Sequence, residues 1–507
     1  MAGFSTDKDR KVIPRWRTFD MTLRLRELES VTLPQAHQQV TPDFLAPKTM
    51  DWLEHQTIGH AADLVGTALS TGREKEVSEA ARFLLRNDLN VSPWARELAE
   101  HALRTPEENE IVSHPEALEE KTLQKRIGVL RNLLRAEPKD PISWVELSRA
   151  YAILGLGEQA KQSMIVAVQL AMNNRFVLRS ASRLWIYLDD IEKAHDLIVR
   201  ADRTPHDPWL LAAEIAIGSV AGRKPRFVKT ARRMLTERRF LPIHISELAS
   251  AVATLELSSG SVRRSRQLFE LSLKSPTENS IAQAAWASRH NSIIHLKEEY
   301  LDRPNTFEAR YWSFYSQGQW EKAINECKLW HFDQPFSSRP STQGSYVAGT
   351  ALEDYSLNKQ FAEQGLIANP SDFTLWNNLA FALINLGNIQ RGREALSRAS
   401  RLQISDEDRV VLQATQGLLA FRTGDVAVGR QLYLDARSNA RKMQDNRLFA
   451  LASAYHAIEE VSHGISDRSS VLSAVIRILQ RETDPIFRAL EIRLSKMILS
   501  DKRRDRT

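Results

Sequence analysis

One cysteine, Cys327, in 507 residues excludes an internal disulfide and any cysteine-based zinc site. Its setting in the helical stretch WEKAINECKLW marks it as a core residue. No segment approaches the roughly 18 to 20 uninterrupted apolar residues that a membrane helix needs, and the N-terminal MAGFSTDKDRKVIPRW has charge without a secretory apolar run. The expectation is a soluble, cytoplasmic protein with no membrane partner. Gly-rich phosphate loops are missing as well. Gly155 and Gly157 make only a GxG, which a turn between helices explains.

Histidines are present but scattered. His55 and His60, like His290 and His295, are five apart and miss the i, i+4 spacing of a zinc helix. His206 and His331 are expected on loops, where they can titrate, but no acid or nucleophile is paired with them. The acidic run Asp406, Glu407, Asp408 opens a helix, where carboxylates favour the backbone dipole. These absences lead to the expectation of no catalytic residue, no cofactor and no metal.

What the chain does have is a repeated helical pattern. In DPISWVELSRAYAILGLGEQAKQSMIVAVQLAMNN, Asp140 to Asn174, the residues Trp144, Leu147 and Tyr151 form one apolar stripe, with the small Ser148 where a neighbouring helix must come close. A turn at Leu154 to Gly157 follows. Ala160, Met164, Ala167 and Ala171 then continue at the same spacing. This unit resembles the tetratricopeptide repeat, whose signature is W-x2-L-G-x2-Y, then A-x3-F, then a proline. Ser148 stands for the glycine and Met164 for the phenylalanine.

The pattern recurs near the family's period of about 34 residues. Ala194 lies 34 residues after Ala160 and Arg126 lies 34 before it. Pro138 precedes Trp144 by six residues, and Pro370 precedes Trp376 by six. A second clear unit carries Trp376, Leu379, Ala380, Leu383, Gly387, Gly392, Leu396 and Ala399. The expected fold is therefore all-α, a right-handed α-solenoid of helix-turn-helix repeats. A prior of one domain per 150 residues is relaxed by such an array, because each unit packs only on its neighbours.

Read in order, residues 1–48 form an extended arm with prolines and one short helix over Phe19–Leu28. Residues 49–120 hold divergent helical repeats, with Gly72 at a turn and Ser92 as a cap, and an acidic loop. A repeat array with a basic insertion covers 121–330, less regular over Ser280–Arg303, and a polar loop covers 331–345. Further repeats cover 346–440, and capping helices with a basic tail cover 441–507.

The resemblance implies a concave groove lined by the first helix of each unit, where partner peptides or helices are held. Positions off the packing stripe supply Ile142, Val145, Arg149 and Ile153, then Phe176, Arg179, Arg183 and Tyr187, and later Asn377, Phe381 and Asn385. Arginines interleaved with apolar groups suit a protein partner with an acidic or amphipathic segment, and asparagine amides suit an extended backbone. Trp16 and Phe19, among Arg15, Arg17, Arg24 and Arg26, are candidate anchors of the arm, on a partner or on the first repeat.

Formal charge is +6, unevenly spread. The richest patch is Arg223, Lys224, Arg226, Lys229, Arg232 and Arg233 with Arg238 and Arg239, followed by Arg263, Arg264 and Arg266; a second cluster is Lys502, Arg503, Arg504 and Arg506. The primary expectation is a non-enzymatic interaction scaffold or regulatory subunit. The alternatives are a nucleic-acid-associated adaptor that uses this basic face, and an enzyme with an unrecognised site.

Overall fold

The computed structural model describes residues 10–19, 45–71, 77–86, 91, 93–103, 120–237, 240–290, 296–464 and 467–504. Arg24, Arg26, the helix expected to run on to Leu28, Gly72, Ser92, the acidic loop, His295, Arg238, Arg239 and Arg506 lie outside the described residues. Every regular element among those described is helical, α apart from two short 3-10 turns.

In chain order the helices are α1 (Leu45–Glu54), α2 (Ile58–Thr71), α3 (Ser78–Arg86), α4 (Pro93–Leu103), α5 (Glu120–Ala136), α6 (Pro141–Ile153), α7 (Gly157–Leu170), α8 (Arg175–Tyr187) and α9 (Ile191–Arg200). Next come α10 (Pro208–Val220), α11 (Val228–Thr236), α12 (Pro242–Ser258), α13 (Val262–Ser272), α14 (Glu278–His290), α15 (Phe307–Ser316), α16 (Trp320–Asp333) and α17 (Ser338–Thr350). The chain ends with α18 (Tyr355–Ala368), α19 (Phe373–Asn385), α20 (Ile389–Ser400), α21 (Asp406–Arg422), α22 (Val426–Lys442), α23 (Asn446–Ser462), α24 (Arg468–Leu479) and α25 (Pro485–Arg504). This is a solenoid of paired helices, a tetratricopeptide-like repeat protein.

The chain divides into two compact units. Unit 1 comprises Met1–Val12, Tyr151–Gln159 and Thr277–Thr507; unit 2 comprises Ile13–Ala150 and Ala160–Pro276.

In unit 2, the small residues sit at the helix crossings. The Ser148 hydroxyl, fully buried, donates to the Ala160 carbonyl at 2.7 Å, and Ser265 donates to the Ala253 carbonyl at 2.8 Å. A hydroxyl in place of glycine thus brings two helices close and satisfies itself on the partner backbone. The indole of Trp144 donates to the Pro138 carbonyl at 2.9 Å, which ties this repeat's opening proline to its first helix. The four N-terminal helices make their own core around Trp52, Leu64, Leu84 and Leu98. α1 begins at Leu45, so residues 45–48 are helical instead of arm; Pro47 sits in the first turn, where its missing N–H costs nothing.

In unit 1, Trp376 donates to the Pro370 carbonyl at 2.8 Å, the same tie in a second repeat. The expected loop over 331–345 is overturned. Residues 331–333 finish α16, 338–345 belong to α17, and only 334–337 connect them. Pro340 occupies the first turn of α17, and Ser341, Gln343, Gly344 and Ser345 are buried. A Cβ on Gly344 would stand 2.7 Å from the Phe361 ring. Ser341 and Gly344 are therefore packing spacers between α17 and α18, while Gln343 accepts from Tyr311 and Ser345 from Asn378. Ser405 and Asp408 form a reciprocal capping box at the start of α21, which accounts for the acidic run. Cys327 is fully buried, and burial pushes its thiol well above the ordinary range.

Candidate functional site

In unit 2 the first-helix surface at α6 and α8 carries a non-helical segment of the same chain. Residues 13–19 have no helix, and Pro14, Trp16 and Arg17 among them are buried. The Phe19 amide donates to Glu146 Oε1 at 2.8 Å, and Glu146 Oε2 accepts from Arg126 at 2.8 Å. Arg149 Nε donates to the Trp16 carbonyl at 3.3 Å. Phe19 meets Phe176 edge to face, with ring centroids 5.0 Å apart. The groove residues Arg149 and Phe176 and the anchors Trp16 and Phe19 are thus brought together, within one molecule.

The remaining groove residues are placed differently. Ile153 is buried in unit 1. Arg179 is buried, donates to Glu247 at 2.9 Å and to the Trp209 carbonyl at 3.1 Å, and lies over the Trp209 ring. Arg175 is likewise spent on Asp207. Burial lowers its pKa, and the Asp207 carboxylate opposes that shift. Of the arginines expected to attract an acidic segment, Arg179 is neutralised inside the fold. Arg183 and Tyr187 stay half-buried; burial pushes the Tyr187 hydroxyl up to about 12, against the pull of Arg183.

In unit 1, the amides of α19 are withdrawn from the surface, and neither Oδ1 nor Nδ2 of Asn377 meets a hydrogen-bond partner. Asn377 is fully buried, and Asn385 donates to the Phe381 carbonyl at 2.9 Å and accepts from Arg422 at 3.4 Å. Phe381, also buried, packs edge to face on Tyr355 and Tyr455. The C-terminal helix α25 packs on α24 and reaches α17 and α23. Its Ile486, Phe487, Leu490 and Leu494 are buried in that core, and Arg493 pairs with Glu353 at 3.1 Å and donates to the Tyr355 hydroxyl at 3.3 Å. An amphipathic helix thus covers first helices of this unit.

Sequence reasoning missed a polar pocket in unit 1. Arg10 is buried there, and its guanidinium donates to both oxygens of Glu308 at 2.8 and 3.1 Å, to Gln283 Oε1 at 2.6 Å and to Asn279 Oδ1 at 2.9 Å. Gln283 Nε2 in turn donates to the Arg10 carbonyl at 2.8 Å. Asn279 and Gln283 are one helical turn apart on α14, so one face supplies both.

The basic patch lies on the 221–227 connection and α11, as an enlarged turn and helix. Much of its charge is compensated. Arg223 pairs with Glu192 and Asp196, Arg232 and Arg264 share Glu256, and Arg233 pairs with Glu237. Lys224, Arg226 and Lys229 are exposed. Among the described residues, no cluster of three His, Cys, Asp or Glu side chains is placed to hold a metal ion, and no helix is long and apolar enough to cross a membrane.

No family model matches the chain, and no curated protein matches it. Among solved structures, the chain is similar to the human IFIT1 dimer with PPP-AAAA, at 13% identity over 90% of this chain and 93% of that one, TM-score 0.33. It is similar to Cut9 and Hcn1 of the APC/C hetero-tetramer at 12% identity over 89% and 92%, TM-score 0.32. Yeast Tom70 gives 10% identity over 88% and 96%, TM-score 0.31.

Proposed function

We propose that the chain is a non-enzymatic, cytoplasmic interaction scaffold or regulatory subunit that holds an extended segment of a partner protein on Glu146, Arg149 and Phe176. The observation that supports this reading is the strand 13–19, already seated on those residues through its backbone and an aromatic ring. Both main-chain bonds would be available to any extended peptide, and the ring contact selects an aromatic side chain. The partner segment is then extended and aromatic, and the acidic character expected from the arginines has lost its basis in Arg179.

The test compares three full-length baits in nuclease-treated host lysate: the natural chain, Trp16→Ala, and Trp16→Ala with Phe176→Ala. Loosening the strand should raise capture of a defined protein, and removing Phe176 should abolish the gain. The synthetic peptide IPRWRTF should elute that protein. Equal capture by all three baits, insensitive to the peptide, would overturn the proposal.

A further inference from the structure

We infer that the pocket of Asn279, Gln283 and Glu308 in unit 1 is an arginine-recognition site for an extended peptide, and that Arg10 is its intramolecular occupant. This goes beyond the reading above and rests on it: it assigns a second site, within unit 1, that takes an arginine on a peptide backbone.

The donor count carries the argument. A guanidinium has five N–H groups in a rigid plane. Here Nε and one Nη2 hydrogen meet the two Glu308 oxygens, the other Nη2 hydrogen meets Asn279, and the Nη1 pair meets Gln283 and the Lys11 carbonyl at 3.3 Å. All five are used. A lysine ammonium, with three donors on a point charge, cannot reproduce the forked contact with Glu308. The pocket also reads the main chain, because Gln283 donates to the carbonyl of the same residue whose side chain it accepts.

A buried ion pair is weak evidence of a stabilising device, since apolar residues of similar volume would hold a strand as well or better. What a fully matched polar pocket adds is selection of one side chain over others. Vacating the pocket is also tolerable. Glu308 accepts from Arg339 at 2.8 Å, so its buried carboxylate keeps a cationic partner when Arg10 leaves. The site therefore persists between occupants.

The experiment uses the whole chain with a site-specific protease sequence inserted after Gln38, cut after folding so that every residue remains but the arm is no longer tethered. The probe is fluorescein-labelled DKDRKVIPRWRTF, residues 7–19, beside the same peptide with Arg10→Lys. The labelled peptide should exchange into the nicked chain, and the lysine form should bind at least tenfold more weakly. Glu308→Gln, and separately Asn279→Ala with Gln283→Ala, should each lower affinity for the arginine peptide at least tenfold and lower affinity for the lysine form by clearly less. Circular dichroism confirms that each variant is folded, and the double variant keeps Glu308 should the first fail to fold.

If both peptides bind alike, arginine recognition is overturned while the scaffold reading stands. If the nicked chain retains its own arm against a hundredfold excess of peptide for a day, the arm is a fixed part of the fold and both readings fail.

Discussion

Phe19 stands edge-on to Phe176 with ring centroids 5.0 Å apart and planes at 63°, two aromatic residues 157 positions apart in the chain (176 − 19). A strand that carries no helical or sheet bonds depends on such side-chain contacts and on Trp16, which is fully buried. Truncating a buried Trp costs about 3 to 5 kcal/mol when the surroundings stay put. Detaching a short strand is the cheaper response. Trp16→Ala is therefore expected to abolish hydrogen-exchange protection across residues 13–19 while α21 to α23 keep theirs and the melting temperature moves by no more than about 3 °C. A fall of more than about 10 °C would mean that the strand is integral to the cooperative unit.

Gly155 and Gly222 both have positive φ, 70° and 66°, in turns between helices. Their surroundings differ. A Cβ on Gly155 would stand 2.3 Å from the Ile367 carbonyl oxygen, within unit 1, whereas one on Gly222 would meet nothing within 4 Å. Gly222→Ala should cost only the left-handed strain, about 1 to 2 kcal/mol. Gly155→Ala adds a clash with backbone and should cost about 3 kcal/mol or more. Urea unfolding of the two variants side by side checks the ranking; equal losses would mean that the turn at Gly155 shifts without cost.

The repeats were legible because their spacing is a packing requirement: Trp144 and Trp376 each need a proline carbonyl six residues back, and Ser148 must be small where α6 meets α7. The stretch 331–345 was misread because Ser, Pro and Gly in α17 serve close helix packing instead of turns. The groove residues were chosen by position, and periodicity cannot see what covers them. Arg149 and Phe176 lie against the arm and Arg179 is spent on Glu247, contacts made by residues distant in sequence. Arg10, Asn279, Gln283 and Glu308 left no signal at all, since a lone arginine in an aperiodic arm has no spacing to read.

His244 and His331 are expected to make stability fall on acidification. Burial pushes both down to about 4 from an ordinary 6.5; Arg175 adds to this at His244, and Asp207 opposes it. Both are neutral in the fold, so between pH 6.5 and 4 the unfolded chain binds more protons and unfolding becomes easier as pH drops. Glu214 works the other way. Its carboxyl is raised by burial, against hydrogen bonds from the Arg226 and Phe227 amides, so its contribution is present at low pH and is lost as pH rises. The comparison must therefore be between variants. Between pH 7 and 4.5 the natural chain should lose about 2 kcal/mol relative to His331→Asn, and His244→Asn should behave alike. Parallel urea midpoints across that range would contradict the assignment.

The carboxylates around the basic patch give a last expectation, about salt. Glu192 and Asp196 hold Arg223, and Glu256 holds both Arg232 at 2.6 Å and Arg264 at 3.5 Å. Cations paired this way release few counterions from a phosphate backbone, so binding to a 20-nucleotide RNA should be weak at 50 mM salt and absent at 200 mM. Glu192→Gln with Glu256→Gln frees Arg232 and Arg264 and leaves Arg223 on Asp196 alone. Each phosphate contact adds roughly 0.7 to the slope of log affinity against log salt on a single strand, so the slope should steepen by about 1.4 and affinity at 50 mM should rise roughly tenfold. Fluorescence anisotropy at the two salt concentrations reads both quantities. Tight binding by the natural chain, unchanged in the double variant, would mean that Lys224, Arg226 and Lys229 suffice and that the basic face is a working nucleic-acid surface.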